Sequence, residues 1–121
     1  MKEWSDKTIL KIFKNPSKDQ KYKITSVCSE LTFIGVKGET IQPDFAEVKI
    51  TMIPNETIMD LKSLKIYLQQ FRDKLLSYER LLIIIYNDIN DVFNPKYLKV
   101  NMKLNPRGGI YSELEISSED K

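Results

Sequence analysis

The chain predicts an α+β domain in which a four-stranded antiparallel sheet carries two helices on one face. Three observations lead there. From Phe45 to Ile53, Val48, Ile50 and Met52 alternate with Glu47, Lys49 and Thr51, the pattern of a half-buried strand. Ile58, Leu61, Leu64, Leu68, Phe71 and Leu75 recur at spacings of three and four, the stripe of an amphipathic helix over 58–74. Alternation then returns in Tyr97–Leu104 and Ile110–Ile116, so strand signals flank a helical middle and the order reads ββααββ.

Each element has its own signal. Residues 1–20 read as a basic, solvated N-terminal arm with a short strand at Thr8–Phe13. The single domain spans 21–116. Its first strand, 22–36, holds Tyr22, Ile24, Val27, Leu31, Phe33 and Ile34, and Gly35 and Gly38 punctuate its end. The strand over 45–53 closes at Pro54-Asn55, and Asn55 or Thr57 offers an N-cap to the first helix. Leu82, Ile85, Tyr86, Ile89 and Phe93 keep helical spacing, so 78–93 is a second helix that Asn94-Pro95 ends. The turn Pro106-Arg107-Gly108-Gly109 joins the last two strands, and 117–121 is an acidic tail.

Composition narrows the function classes. At 121 residues, 41% hydrophobic and 30% charged, the chain is an ordinary globular domain whose net charge of +2 selects no partner. Seven lysines crowd the first 23 residues, where they face solvent or nucleic-acid phosphates. One cysteine excludes an internal disulfide and suits a reducing compartment. The absence of histidine removes the commonest general base and zinc ligand, and no metal site is expected. The longest apolar run, Leu81 to Tyr86, falls far short of the ~20 residues of a membrane span, so a cytoplasmic protein with no membrane partner is expected.

Several short segments are too irregular to be generic patterning. Gln42-Pro43-Asp44-Phe45 precedes the second strand, and residues 60–68 read Asp-Leu-Lys-Ser-Leu-Lys-Ile-Tyr-Leu, followed by Phe71-Arg72. Tyr78-Glu79 opens the second helix, where a carboxylate is favoured by the helix dipole. Asn87-Asp88-Ile89 and Pro106-Arg107-Gly108-Gly109-Ile110 complete the set. Together they resemble the signature of the 7-cyano-7-deazaguanine (preQ0) reductases, the QueF nitrile reductase family. The resemblance implies the tunnelling fold (T-fold), whose subunits join sheets into a barrel as a homo-oligomer with active sites at subunit interfaces. It also implies a 7-deazaguanine-type base as ligand, NADPH as cofactor, and a place in queuosine- or archaeosine-type tRNA modification.

The same resemblance assigns roles. Asp44 matches the family's proton-donating acid. Glu79 matches the carboxylate that accepts hydrogen bonds from the base, with Tyr78 beside it where the family has histidine. Lys62, Lys65, Arg107 and Gly108 fall in the region that holds NADPH. The family's nucleophile is a cysteine that captures the nitrile carbon as a thioimide. Two registers are open for it. One follows Asn15-Pro16, Asp19, Tyr22 and Glu30-Leu31-Thr32, places Gly35 at the nucleophile position and inserts two residues before Gln42. The other aligns Thr25-Ser26-Val27-Cys28 with the family's Thr-Ser-Leu-Cys and makes Cys28 the nucleophile, at the cost of a much longer insertion before Asp44. The first matches more residues and is preferred. Three functions follow: a reductase-family protein that binds a deazapurine with its nucleophile replaced, a QueF-like amidinotransferase acting on preQ0-tRNA, or a non-catalytic purine-binding homologue.

Overall fold

The computed structural model describes residues 5–37 and 40–119. Gly38, the first four residues of the arm and the last two of the acidic tail lie outside them. Six strands and two α-helices follow a 3₁₀ turn at Lys7–Ile9: β1 (Ile12–Lys14), β2 (Ile24–Lys37), β3 (Thr40–Ile53), β4 (Thr57–Met59), α1 (Leu61–Gln69), α2 (Tyr78–Phe93), β5 (Tyr97–Leu104) and β6 (Glu113–Ser117). The main sheet is antiparallel in the order β2-β3-β5-β6, and β1 pairs with β4 in a separate two-stranded ribbon.

The period-2 patterns become the two faces of this sheet. Ala46, Val48, Ile50 and Met52 on β3 and Leu98, Val100, Met102 and Leu104 on β5 are buried. Leu64, Tyr67, Leu68 and Phe71 of the α1 region and Leu81, Leu82, Ile85, Tyr86, Ile89 and Phe93 of α2 cover them and form one core with Leu31 and Phe33 of β2. The opposite face is polar. Lys49, Thr51, Lys99, Asn101, Glu113 and Glu115 line it, and Lys99 pairs with Glu115 at 3.3 Å.

The second strand begins earlier than its alternation announces. β2 and β3 form one long hairpin in which Ile34 pairs with Pro43, Gly35 with Gln42 and Lys37 with Thr40. Gly35 therefore lies within the ladder and does not end it. Pro43 is tolerated because at this end β3 has only β2 as neighbour; its pairing with β5 starts at Ala46. A bulge between Cys28 and Leu31 resets the facing of β2.

The first helix is shorter than its stripe. Residues 57–59 pair with 12–14, and Asp60 caps the helix by accepting from the Lys62 N–H at 3.3 Å. Ile58 fits the helical phase, but a distant segment supplies it with a strand partner, which local periodicity cannot register. Beyond Gln69 the chain continues in tight turns, with Phe71 N–H donating to Leu68 O at 3.3 Å and Lys74 N–H to Phe71 O at 3.0 Å. The short strand expected at Thr8–Phe13 is instead the 3₁₀ turn plus β1. The last strand starts at Glu113, because Arg107 and Ile110 close a two-residue turn of their own with Gly108 at φ 61° and Gly109 at φ 81°.

Most of the described part of the arm is exposed, and it is anchored to the domain at a few points, with Leu10 and Asn15 buried. Leu10 enters the core, Ser5 donates to Asp88, Lys7 pairs with Asp91 at 3.2 Å, and the Lys11 N–H donates to Ser63 Oγ at 2.9 Å. Buried Asn15 ties the next stretch down: its Nδ2 donates to Asn55 O at 2.9 Å, and its Oδ1 accepts from the Tyr22 hydroxyl at 2.6 Å and the Ser17 N–H at 3.0 Å. Among the described residues no helix is long and apolar enough to cross a membrane.

Candidate functional site

Toward the turn end of the long hairpin, four parts of the chain meet around a cavity of about 170 Å³. β2 contributes Phe33 and Gly35, β3 contributes Gln42 and Asp44, the start of α2 contributes Ser77, Tyr78 and Glu79, and the β5–β6 turn contributes Arg107. The backbone explains the convergence. Ile34 N–H donates to Lys74 O at 3.0 Å and Leu76 N–H donates to Ile34 O at 3.1 Å, so the segment entering α2 is stitched to the edge of β2 beside Gly35. Ser77 then caps α2 by accepting from the Arg80 N–H at 3.3 Å, which fixes Tyr78 and Glu79 in the first turn. On the other side, Asn105 N–H donates to Phe45 O at 3.0 Å and brings the glycine turn next to Asp44.

Asp44 is the most enclosed charge of the site, with a side chain 19% exposed. Its Oδ1 accepts from the Phe45 N–H at 3.0 Å and lies 3.6 Å from Arg107 Nε, while Arg107 Nη2 donates to Pro43 O. Its Oδ2 points over Gly35: a methyl carbon on Gly35 would stand 3.1 Å from that oxygen, closer than ordinary van der Waals contact. Phe33 is fully buried beneath, Tyr78 is half-buried against the core, and Glu79 is exposed at the rim. The lining thus holds two carboxylates, one guanidinium and one phenol around a glycine.

A second, larger groove of about 620 Å³ runs along the free edge of β2 beneath α1. Residues 24–30 and Thr32 line it with Leu61, Leu64, Lys65, Leu68, Gln69 and Arg72. Cys28 belongs to this groove. It pairs with Val48 and packs partly against the core, seven residues before Gly35 on the same strand, roughly 20 Å at the rise of a β-strand.

The structure therefore brings Asp44, Tyr78, Glu79 and Arg107 together around Gly35, and it separates Cys28 and Lys65 from them. Lys62 is exposed on the first turn of α1 and lines neither cavity, and Gly108 lies in the exposed turn next to Arg107. Lys62, Lys65, Arg107 and Gly108 do not share one cavity within a protomer. Phe33 and Ser77 were given no role by the sequence, nor was Arg72. Phe33 could have been found from its position two before Gly35 on a strand, and Ser77 from its place before a helical run.

The four-stranded antiparallel sheet, the two helices on one face and the pocket at the hairpin end define a tunnelling-fold domain. A crystal structure titled archaeosine synthase QueF-Like in the apo form superimposes with a TM-score of 0.71 at 21% identity, covering 87% of this chain and 96% of that one. The family model described as QueF-like protein matches residues 43–121. Proteins named NADPH-dependent 7-cyano-7-deazaguanine reductase are similar over nearly the whole chain. The one from Rhodopirellula baltica is 35% identical over 112 residues, 93% of this chain and 91% of its own. The one from Magnetococcus marinus is 37% identical over 110 residues, 91% and 84%. The one from Aquifex aeolicus is 32% identical over 115 residues, 95% and 88%. The chain belongs to the QueF family.

Proposed function

We propose that this chain binds a 7-deazaguanine-type base in the pocket between Asp44 and Glu79, within 7-deazaguanine tRNA modification, without covalent capture of a nitrile. The observation that supports this reading is the pocket itself, which joins the two carboxylates around Gly35, a position with no side chain that could attack a nitrile. Glu79 offers two acceptor oxygens to the ring N–H and amino group of a guanine-like edge, a pairing that suits a carboxylate. Phe33 and Tyr78 supply apolar surface for the ring. Asp44 then lies at the far end, toward the substituent on the five-membered ring. Thioimide formation needs a thiolate within bonding reach of the nitrile carbon, and Cys28 stands in the other groove.

NADPH, which the relatives' names carry, fits the edge groove in size and chemistry. About 620 Å³ lies within the usual ~300–1,000 Å³ of ligand sites, and Lys65 and Arg72 stand beside Leu61, Leu64 and Leu68 to receive phosphates and an apolar ring edge. A dinucleotide held there would supply hydride.

The test is intact-protein mass spectrometry and calorimetry with 7-cyano-7-deazaguanine, alongside NADPH oxidation. Measurable binding, unchanged protein mass and no NADPH turnover are expected. A wild-type adduct that disappears in Cys28→Ala would overturn the reading and restore a working reductase. A second reading, an amidinotransferase acting on tRNA, draws on the likeness to the archaeosine synthase. Transfer of an amide or ammonia nitrogen to nitrile-bearing tRNA by the purified protein would favour it.

A further inference from the structure

We infer that the pocket selects a 7-deazaguanine whose substituent is cationic, such as an aminomethyl or amidine group, over the neutral nitrile. The inference rests on the proposed placement of the base, with its guanine-like edge at Glu79 and its substituent toward Asp44.

Three features of the site carry it. Among the described residues, the charged groups that line the cavity are Asp44, Glu79 and Arg107, two negative and one positive, and the remaining titratable group, Tyr78, is a phenol. Arg107 faces Asp44 only at 3.6 Å and gives its Nη2 to Pro43 O, so a cationic substituent adds a charge-assisted partner for Asp44 that a neutral one lacks. Glu79 is exposed at the rim, so the enclosed member of the pair is Asp44.

The second feature is the division of labour between the oxygens of Asp44. Oδ1 is engaged by the Phe45 N–H at 3.0 Å and faces Arg107 at 3.6 Å. Oδ2 has no hydrogen-bond donor among the described residues and overlooks the space above Gly35. It is an acceptor waiting for a donor. A nitrile brings no donor; its nitrogen lone pair would meet the carboxylate oxygen, and the two repel. An ammonium or amidinium brings N–H groups with a positive charge, the stronger class of hydrogen bond.

The third is the glycine. With no side chain at position 35, the volume beside Oδ2 is open, whereas even a methyl carbon there would come within 3.1 Å of the oxygen and crowd whatever approaches it. The residue that removes the nucleophile thus also clears a seat for a substituent that makes its own hydrogen bonds.

Calorimetry on the full-length protein compares 7-aminomethyl-7-deazaguanine with 7-cyano-7-deazaguanine at pH 7. The aminomethyl base is expected to bind at least about tenfold more tightly, the factor that one charge-assisted hydrogen bond of moderate strength supplies. Asp44→Asn should bring the two affinities to within about twofold. Gly35→Ala, which keeps the carboxylate and fills the seat, should shrink the preference as well, so the conclusion does not hang on how Asp44→Asn folds. Equal affinities, or a tighter nitrile base, in the wild type would overturn the inference while leaving base binding intact. If neither base binds, the proposed function itself falls, and this inference with it.

Discussion

In the proposed reading, position 35 is where the family's nucleophile is expected, and a glycine stands there. Gly35 pairs with Gln42 in a regular ladder, and the direction its side chain would take leads to Asp44 Oδ2. Gly35→Cys should therefore place a thiol in the pocket, but with a carboxylate as its nearest neighbour. A like charge opposes ionisation, so the thiol should titrate above the usual ~8.5 of cysteine. Adduct formation with 7-cyano-7-deazaguanine should be slow at pH 7 and rise as the pH passes about 8.5; mass spectrometry at pH 7 and 9 measures it. Equal rates at the two values would show that Asp44 does not control the new thiol. At the rim, Glu79→Gln removes the charge and turns one acceptor into a donor. It should weaken a guanine-like base by ~1.5–3 kcal/mol with little change in melting temperature. Identical calorimetric affinity in the two proteins would withdraw Glu79 from the base.

At the scale of elements, α1, α2 and the N-terminal segment are joined at one carboxylate, that of Asp88. Tyr67 of α1 donates to Asp88 of α2, which also accepts from Ser5, and the Tyr67 ring meets Phe71 edge-on at 5.5 Å. Burial, reinforced by the Asp88 carboxylate, pushes the Tyr67 hydroxyl far above its ordinary range. Its proton is then kept in the folded state and lost in the unfolded chain once the pH exceeds about 10. Because the unfolded state binds fewer protons there, stability must fall as pH rises past that point, by up to ~1.4 kcal/mol per pH unit from this group. Tyr67→Phe should lower stability by about 1 kcal/mol or more at neutral pH and flatten the alkaline decline. Urea midpoints at pH 8 and 10.5 for both proteins check this; parallel declines would sink it. Ser77→Ala should cost ~1 kcal/mol through the lost cap of α2. The same change should weaken base binding, since Tyr78 and Glu79 depend on that turn. A variant that melts lower yet binds the base unchanged would separate the cap from the site.

The whole molecule leaves two sheet edges without a full set of partners. β2 is covered by Lys74–Leu76 only around Ile34, and β6 ends the sheet on the other side. The polar sheet face opposite the helices, with Lys49, Lys99, Glu113 and Glu115, suits a wet interior between copies better than a dry contact. A homo-oligomer that pairs these edges is expected, with the edge groove of one copy brought toward the pocket of another. Light scattering at micromolar concentration should show a ring-sized particle. A monomer would count against both the barrel and an interface site.

The sequence by itself determined the ββααββ order of the main sheet and its helices, the two faces of β3 and β5 and the extent of α2. These rest on side-chain periodicity within a single stretch of chain, which burial on one side enforces. Quoted motifs also singled out Asp44, Tyr78, Glu79 and Arg107, which the fold brings to one cavity. Tertiary structure decided the rest. Ile58 left the helix because Ile12–Lys14 lay beside it, the arm is anchored because Leu10 joins the core, Lys11 meets Ser63 of α1 and Asn15 meets the β3–β4 link, and β3 began five residues before its alternation because β2 ran opposite it. The grouping of site residues likewise came from pairing register. One strand carries Gly35 and Cys28 to different cavities, and which of them meets Asp44 depends on how β2 aligns with β3, a relation between distant segments that no local pattern contains.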